Sequence, residues 1–164
     1  MASPSNAPAA SSPAPQAAQG GVNPGDPGAR PTAAPVKIDA AATPAPGVQA
    51  KLLRIEAVAG LANLPGEVGG PSLRVTVQVD NGISGTLDLR YAVVNLYYGP
   101  EKTPAITLTE PGAKAFPDSI GKGGHATSAW VFNVPVDARD QVVVELDLSS
   151  AATVVLFEGA AHSV

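Results

Sequence analysis

The sequence predicts an all-β protein, an antiparallel two-sheet sandwich of about seven strands that follows a segment without fixed structure. Glycine and proline, 17 residues each in a chain of 164, weaken helix interiors and argue against a helix bundle. After residue 47, several blocks alternate apolar and polar residues, which is the pattern of a strand with one buried face. The intervals between these blocks are short and rich in glycine, so a parallel α/β fold has no room for its crossover helices. A small closed barrel is the second choice.

The first 47 residues differ sharply in composition from the rest. They are mostly Ala, Pro, Ser and Gly, hold 10 of the 17 prolines, and contain no Leu, Phe, Tyr or Trp. So little apolar surface cannot offset the ~1–2 kcal/mol per residue lost when a backbone is ordered. We therefore expect residues 1–47 to be a disordered, locally polyproline-like spacer before a folded domain at 48–164. Its removal should leave melting nearly unchanged, unless residues 36–38 pair with the sheet.

The strands of the domain follow in chain order. The clearest is at residues 73–80, where Leu73, Val75 and every second residue after them are apolar and the residues between are polar. The Asp-Asn-Gly segment at 80–82 then predicts a turn, because Asn and Gly tolerate positive φ. Similar patterns predict strands at residues 51–58, 103–109, 130–134, 142–148 and 154–157.

Residues 87–98 are longer and less regular than the other blocks. Leu87 and Leu89 share one parity with Tyr91, whereas Val94 and Leu96 take the other. A one-residue slip moves every following side chain to the opposite face of a sheet. We therefore expect a bulge or bend near residues 93–94, where the chain passes from one sheet to the other.

Five segments together resemble a known family: residues 73–81, 94–99, 121–126, 131–135 and 157–159. They are similar to the bacterial immunoglobulin-like domains of unknown function found on secreted proteins and lipoproteins, especially in actinobacteria. A mycobacterial secreted immunoprotective antigen has a similar sandwich. The resemblance covers about residues 48–160 and implies an immunoglobulin-like β-sandwich, with no catalytic residue to carry over.

The same resemblance implies roles for single residues in the fold. Trp130 and Phe132 would be core anchors, each burying on the order of 150–250 Å². Gly123, Gly124 and Gly159 would mark turns. These are structural roles, so the resemblance predicts the fold far more than the function.

No pattern of residues predicts catalysis or a cofactor. The chain has no cysteine, and its Gly-Ile-Ser-Gly-Thr segment at 82–86 has threonine where a nucleophile elbow needs its second glycine. The Gly-rich segment at 121–124 lacks the spacing of a phosphate loop. His125 and His162 are far apart, and Arg139 separates the acids at 137 and 140, so zinc and calcium sites are not indicated. We expect no enzyme, no cofactor and no metal.

Charge and hydropathy limit the partners. A net charge of -4, a pI near 5.0 and the absence of a basic run argue against nucleic acid. No apolar stretch reaches the ~20 residues that span a bilayer, so membrane insertion is not expected. The first residues, Met-Ala-Ser-Pro, lack the charged and apolar regions of a secretory signal. An exported envelope protein that has lost its signal or anchor and a phage particle protein both stay open.

Aromatic residues are the best candidates for an interaction surface. Tyr97 and Tyr98 are adjacent, so one of them should face outward from a strand and offer apolar area with a polar tip. The alternative is a tyrosine that lies on a neighbouring strand. We expect the loops at 98–103 and 117–124, the second with Lys122 and followed by His125, to form one end that contacts a protein or cell-wall glycan.

The expected function is therefore a non-enzymatic module outside the cytoplasm. A flexible spacer would display the domain at the bacterial cell envelope for adhesion, assembly or partner binding. The alternative is a phage virion decoration or tail-associated domain with the same fold. Oligomeric state does not follow from the sequence.

Overall fold

A computed structural model describes residues 30–162, which form two five-stranded sheets and a small two-stranded sheet. The predicted antiparallel β-sandwich is confirmed. One 3-10 turn lies at Val136–Ala138. The strands are β1 (Val36–Lys37), β2 (Ala41–Ala45), β3 (Val48–Gly60), β4 (Gly70–Asn81), β5 (Leu87–Asp88), β6 (Val93–Tyr98), β7 (Thr103–Pro104), β8 (Thr107–Leu108), β9 (Ser119–Ile120), β10 (His125–Asn133), β11 (Val142–Asp147) and β12 (Val155–Gly159).

The two large sheets have different strand orders. Sheet one is β1-β12-β11-β6-β7 and sheet two is β2-β3-β4-β10-β8, while β5 pairs with β9. Among the strands of residues 30–162, β1 and β12 form the one parallel pair, and the other pairs are antiparallel. The predicted strand at 103–109 is thus two short strands in different sheets, because the chain crosses between β7 and β8.

The core lies between the inner faces of the two large sheets. On β4, Val75 and Val77 are fully buried, and on β11, Val144 is as well, as the alternation of apolar residues predicted. Phe132 and Phe157 are the largest of the fully buried side chains. Each such side chain contributes about 1.5–3 kcal/mol relative to leaving it in water.

Trp130 differs from the expectation of a buried anchor. It lies opposite Val75 on the inner face but is only half-buried at the rim of the core. Its indole Nε1 donates to the Ser128 hydroxyl at 2.8 Å. A tryptophan at the rim buries its ring while its polar N–H still finds an acceptor.

The long irregular block at 87–98 breaks where the parity of its apolar residues changes. The break is a turn at residues 89–92, closed by the Ala92 amide, which donates to the Leu89 carbonyl at 3.0 Å. Before the turn, β5 belongs to the two-stranded sheet, and after it β6 belongs to sheet one. The predicted break is found just before residues 93–94, as a turn and not a bulge, and the chain passes there from the two-stranded sheet to sheet one rather than between the two large sheets.

The structure corrects the predicted boundary at residue 47. The strand β1 pairs with β12, and β2 pairs with β3, so residues 30–47 belong to the fold. Ile38 and Ala42 are buried in the core. Arg30 also forms an ion pair with Asp147. The part of the predicted spacer at 1–29 lies outside the described residues.

The physical reason is that this segment adds to edges that already exist. A strand that docks on a formed sheet gains main-chain hydrogen bonds and needs few apolar residues of its own. The composition of residues 30–47 did not indicate that they pair with the sheets, because alanine and proline dominate around the one isoleucine at position 38.

Gly159 is not in a turn, which is a second correction. It is the last residue of β12 and lies against Ile38. A Cβ built on Gly159 would stand 3.0 Å from Ile38 Cγ2, which is tighter than an ordinary contact. Gly159 therefore allows β1 to approach the sheet, whereas Gly123, with φ of 72°, does lie in a turn.

Candidate functional site

The sandwich has two ends, and the side chain of Arg139 shows which strand ends lie together. Its Nη2 donates to the carbonyls of Ser72 and Val134, both at 3.2 Å. Arg139 itself lies just before β11, whose first residue pairs with Tyr98. The start of β4, the end of β10, the start of β11 and the end of β6 therefore meet at one end, which we call the Tyr98 end.

The opposite end is organised by Asn81, the last residue of β4, and we call it the Asn81 end. The Asn81 amide Nδ2 donates to the carbonyls of Gly85 and Ile120, each at 2.9 Å, and to that of Gly121 at 3.2 Å. Its Oδ1 accepts from the Ile83 amide at 3.0 Å. The predicted turn at 80–82 does follow, but Asn81 keeps strand geometry and acts through its side chain instead of a positive φ.

The four predicted binding residues fall on different ends. Tyr97 and Tyr98 close β6 at the Tyr98 end, whereas Lys122 and His125 lie beside Asn81. From Ser72 to Asn81, β4 rises about 30 Å at about 3.3 Å per residue. The structure therefore does not bring the loops at 98–103 and 117–124 together, and the expected single contact end is wrong. The binding role of each residue stays a prediction.

Tyr97 faces outward from sheet one, as expected for one of the two tyrosines. It stands between Val143 on β11 and Pro104 on β7 and is half-buried. Burial, and then the charge of Glu145, raise the pKa of Tyr97. Glu145 is itself held by the Asn95 amide, which donates at 2.9 Å. Tyr97 is thus fixed on the sheet by its neighbours.

Tyr98 turns inward, half-buried against the core, while Lys122 and His125 are exposed. Neither Lys122 nor His125 makes an ion pair within residues 30–162. Lys122 lies on a loop that backbone hydrogen bonds hold to Asn81, and His125 is the first residue of β10, opposite Asp80.

A first cleft of about 360 Å³ lies at the Tyr98 end, beside the turn at 99–102. Its wall carries charges of both signs, from Lys102, Asp140 and Glu158. Asp140 is in contact with His162. The remaining lining residues are Gly99, Pro100, Gln141, Val142, Val143 and Gly159.

A second cleft of about 480 Å³ opens at the same end, on the inner side of β3 and β4. Its floor consists of small apolar residues, Ala57, Ala59 and Pro71, and Val136 forms a wall that is 67% exposed. Here sheet two extends past the core, so these inner-face residues are open to solvent. Arg139 is the charged residue of this cleft.

Arg139 is buried to a degree that is unusual for arginine, with 9% of its surface exposed. Its Nε and Nη2 donate to backbone carbonyls, and Nη1 makes no hydrogen bond within residues 30–162. No carboxylate of the described chain pairs with it. A buried cation that lacks a counter-charge favours an anion nearby.

Sequence reasoning did not find Arg139. In the sequence it stands between Asp137 and Asp140, which indicates a solvated polar turn. The structure turns the two acids outward and the arginine inward. The one weak signal of its burial was the position of Arg139 in the chain. It lies in residues 135–141, which must connect two apolar strands, β10 and β11, that belong to opposite sheets.

The described part of the chain contains no group of three or more His, Asp or Glu side chains that could hold a metal ion. Within residues 30–162, no helix has the length and apolar character needed to cross a bilayer.

Comparisons with known proteins show counterparts of the fold. A secreted protein of Mycobacterium tuberculosis, MPT63, is similar with a TM-score of 0.50 and 17% identity, over 77% of this chain and 99% of that one. The yjhA protein of Bacillus subtilis is similar with a TM-score of 0.57 and 10% identity, over 74% and 98% of the two chains. No protein-family model matches the chain, and no curated protein matches it.

Identities this low show a shared fold and nothing finer. The resemblance to the actinobacterial immunoglobulin-like family, carried by residues 73–159, stays a prediction. The geometry and the comparisons together establish an all-β sandwich, and the two clefts described above, with the buried Arg139, lie at its Tyr98 end.

Proposed function

We propose that this chain is a non-enzymatic binding module that works outside the cytoplasm and contacts its partner through the Tyr98 end. The observation that carries the proposal is the second cleft, where Arg139 is buried without a carboxylate partner in the described chain. The second cleft is a shallow, largely open depression, and its combination of an apolar floor with one charged group is typical of a binding surface.

Two observations support a location outside the cytoplasm. MPT63, which has a similar fold, is a secreted protein. The first 29 residues are rich in Ala, Pro, Ser and Gly, as linkers that hold domains away from an envelope often are. Protein or cell-wall glycan at the bacterial envelope is the partner class that we propose.

The test is co-sedimentation of the full chain with envelope from the producing cells, with one variant at each end. Val136→Glu adds a negative charge beside the second cleft, on an exposed side chain. His125→Glu is the matched control, because it adds the same charge to an exposed residue at the Asn81 end.

We expect Val136→Glu to reduce retention at least about tenfold, the effect of losing ~1.4 kcal/mol of binding free energy, and His125→Glu to leave it unchanged. The reverse result would place the contact at the Asn81 end, and equal retention of all three proteins would refute the proposal. Circular dichroism of each variant checks that the sandwich is intact.

A further inference from the structure

We infer that the second cleft binds the C-terminal carboxylate of a peptide whose last residues are small and apolar. The inference rests on the proposed function and names the ligand class of the same site. Four observations support it: the charge of Arg139, its environment, the size of the cleft floor, and the edge of β3 beside the cleft.

The charge of Arg139 selects an anion. Its guanidinium has three hydrogen bonds to two carbonyls, while Nη1 has none within residues 30–162 and still touches solvent. Nη1 is therefore the nitrogen left to donate to a ligand carboxylate, and charge-assisted hydrogen bonds of this kind are about twice as strong as neutral ones. The bonds from Nε and Nη2 to the two carbonyls hold the guanidinium in place before any ligand arrives.

The environment strengthens that preference. The nearest acids along the chain, Asp137 and Asp140, are exposed and make no ion pair with Arg139. An ion pair gains more in a site that is shielded from water than on an open surface. A ligand carboxylate would therefore supply the counter-charge that residues 30–162 do not.

The floor of the cleft limits the size and polarity of the side chains that the ligand can carry next to its carboxylate. Ala57, Ala59 and Pro71 present an apolar surface without a deep hole. Small residues such as alanine or valine fit this surface, and burying their side chains adds favourable free energy in proportion to area. The exposed Val136 closes one side.

The edge of β3 favours a peptide over a simple alkyl acid. Beyond Lys51, which pairs with Ala41, the outer edge of β3 has no partner strand in the described chain, and this edge includes Ala57, Val58 and Ala59 of the cleft. An edge of this kind offers free main-chain donors and acceptors. A peptide backbone can use them, whereas an alkyl chain has nothing to pair with.

The test uses the full chain, labelled with ¹⁵N, and three probes: a short Ala/Val peptide with a free C terminus, the same peptide amidated, and butyrate. We expect the free peptide to shift the amide signals of Ala57 and Ala59 and the Nε–H signal of Arg139. It should bind at least about tenfold more tightly than either the amidated peptide or butyrate.

Two variants locate the site. Arg139→Gln should reduce affinity for the free peptide to that of the amidated one, while Arg139→Lys keeps the positive charge and should retain part of it. Val136→Glu, on an exposed residue, tests the same cleft if the Arg139 variants unfold, and it should abolish the shifts.

Equal binding of free and amidated peptide would overturn recognition of the carboxylate. If butyrate bound as tightly as the free peptide, the ligand carboxylate would not have to belong to a peptide, and that part of the inference would be wrong. Shifts confined to the Asn81 end would show that the site is not in the second cleft. Any of these results could occur while Val136→Glu still lowers envelope retention, so failure here is distinct from failure of the proposed function.

Discussion

The amide of Asn81 determines the structure of one end of the sandwich. The side chain is 1% exposed, and its Nδ2 is shared among three carbonyl oxygens from two loops. Its backbone adds two more bonds, from its own amide to the Gly124 carbonyl and from the Gly123 amide to its carbonyl, both at 2.9 Å. One residue thereby fixes both loops that follow β4 and β9.

Replacing Asn81 with aspartate should therefore destabilise the protein strongly. Aspartate keeps the size and the acceptor but loses the donor, which leaves carbonyls of Gly85 and Ile120 unsatisfied and facing a negative charge. We expect a loss of about 2–4 kcal/mol in the free energy of unfolding, measured by chemical denaturation. Asn133→Asp is the matched control, because that amide bonds carbonyls of an exposed loop and should cost less. Equal losses would contradict the role of Asn81.

The raised pKa of Tyr97 predicts how the stability of the protein changes in alkaline solution. Burial, and next the charge of Glu145, raise the pKa of the Tyr97 hydroxyl above its ordinary value in the folded protein. Since the unfolded chain then ionises first, the stabilisation from Tyr97 is complete below the unfolded pKa of about 10 and is lost as pH rises through the folded pKa.

We expect Glu145→Gln to lower the pKa of Tyr97 but not to the ordinary value, because burial remains. Titration of tyrosinate absorbance, with Tyr97→Phe to assign the transition, measures this change. The same Tyr97→Phe variant should lose less stability than the parent between neutral and strongly alkaline pH. An unchanged Tyr97 pKa in Glu145→Gln would show that the carboxylate has no part in the shift.

At the scale of elements, the segment that carries β1 and β2 joins the two sheets along one edge. The strand β1 extends sheet one, and β2 extends sheet two, with the crossing at residues 38–40 between them. Ile38 inserts into the core at this crossing, where Gly159 makes room for it. The segment therefore closes the edge up to Lys51 and leaves the rest of β3 open.

Removing residues 1–47 should lower the free energy of unfolding by at least about 3 kcal/mol, because the core loses Ile38 and both sheets lose an edge strand. This is the opposite of the expectation from composition. Removing residues 1–29 is the control, since it deletes none of the contacts within residues 30–162. Thermal unfolding of both truncated chains measures the difference, and equal melting temperatures would show that β1 and β2 add no stability.

Strand length explains which elements the sequence could predict. The strands β4 and β11 are long enough for several cycles of alternation, so the bounds predicted at residues 73–80 and 142–148 lie no more than three residues from the observed ones. The strands β5, β7, β8 and β9 have two residues each, which is too few for any period. They depend on partners brought close by the rest of the fold.

At the scale of the whole molecule, the fold class followed from sequence and the candidate site did not. Alternation along each strand is a local property, but the burial of Arg139 depends on carbonyls from Ser72 and Val134, which only the folded sandwich brings to it. The same holds for the separation of Tyr98 from Lys122. Two loops with similar composition gave no sign that they lie at opposite ends of β4 and its neighbours.

The parallel pairing of β1 with β12 has a mechanical consequence. The two strands are joined at Val36 and Phe157 and at Lys37 and Glu158, with a further bridge from Thr32 to Val154. Because they point the same way, the described chain enters the sheet at one end of the molecule and leaves it at the other. Tension on the two ends therefore acts along the strands and loads these bonds in shear all at once, which resists rupture better than opening them one after another.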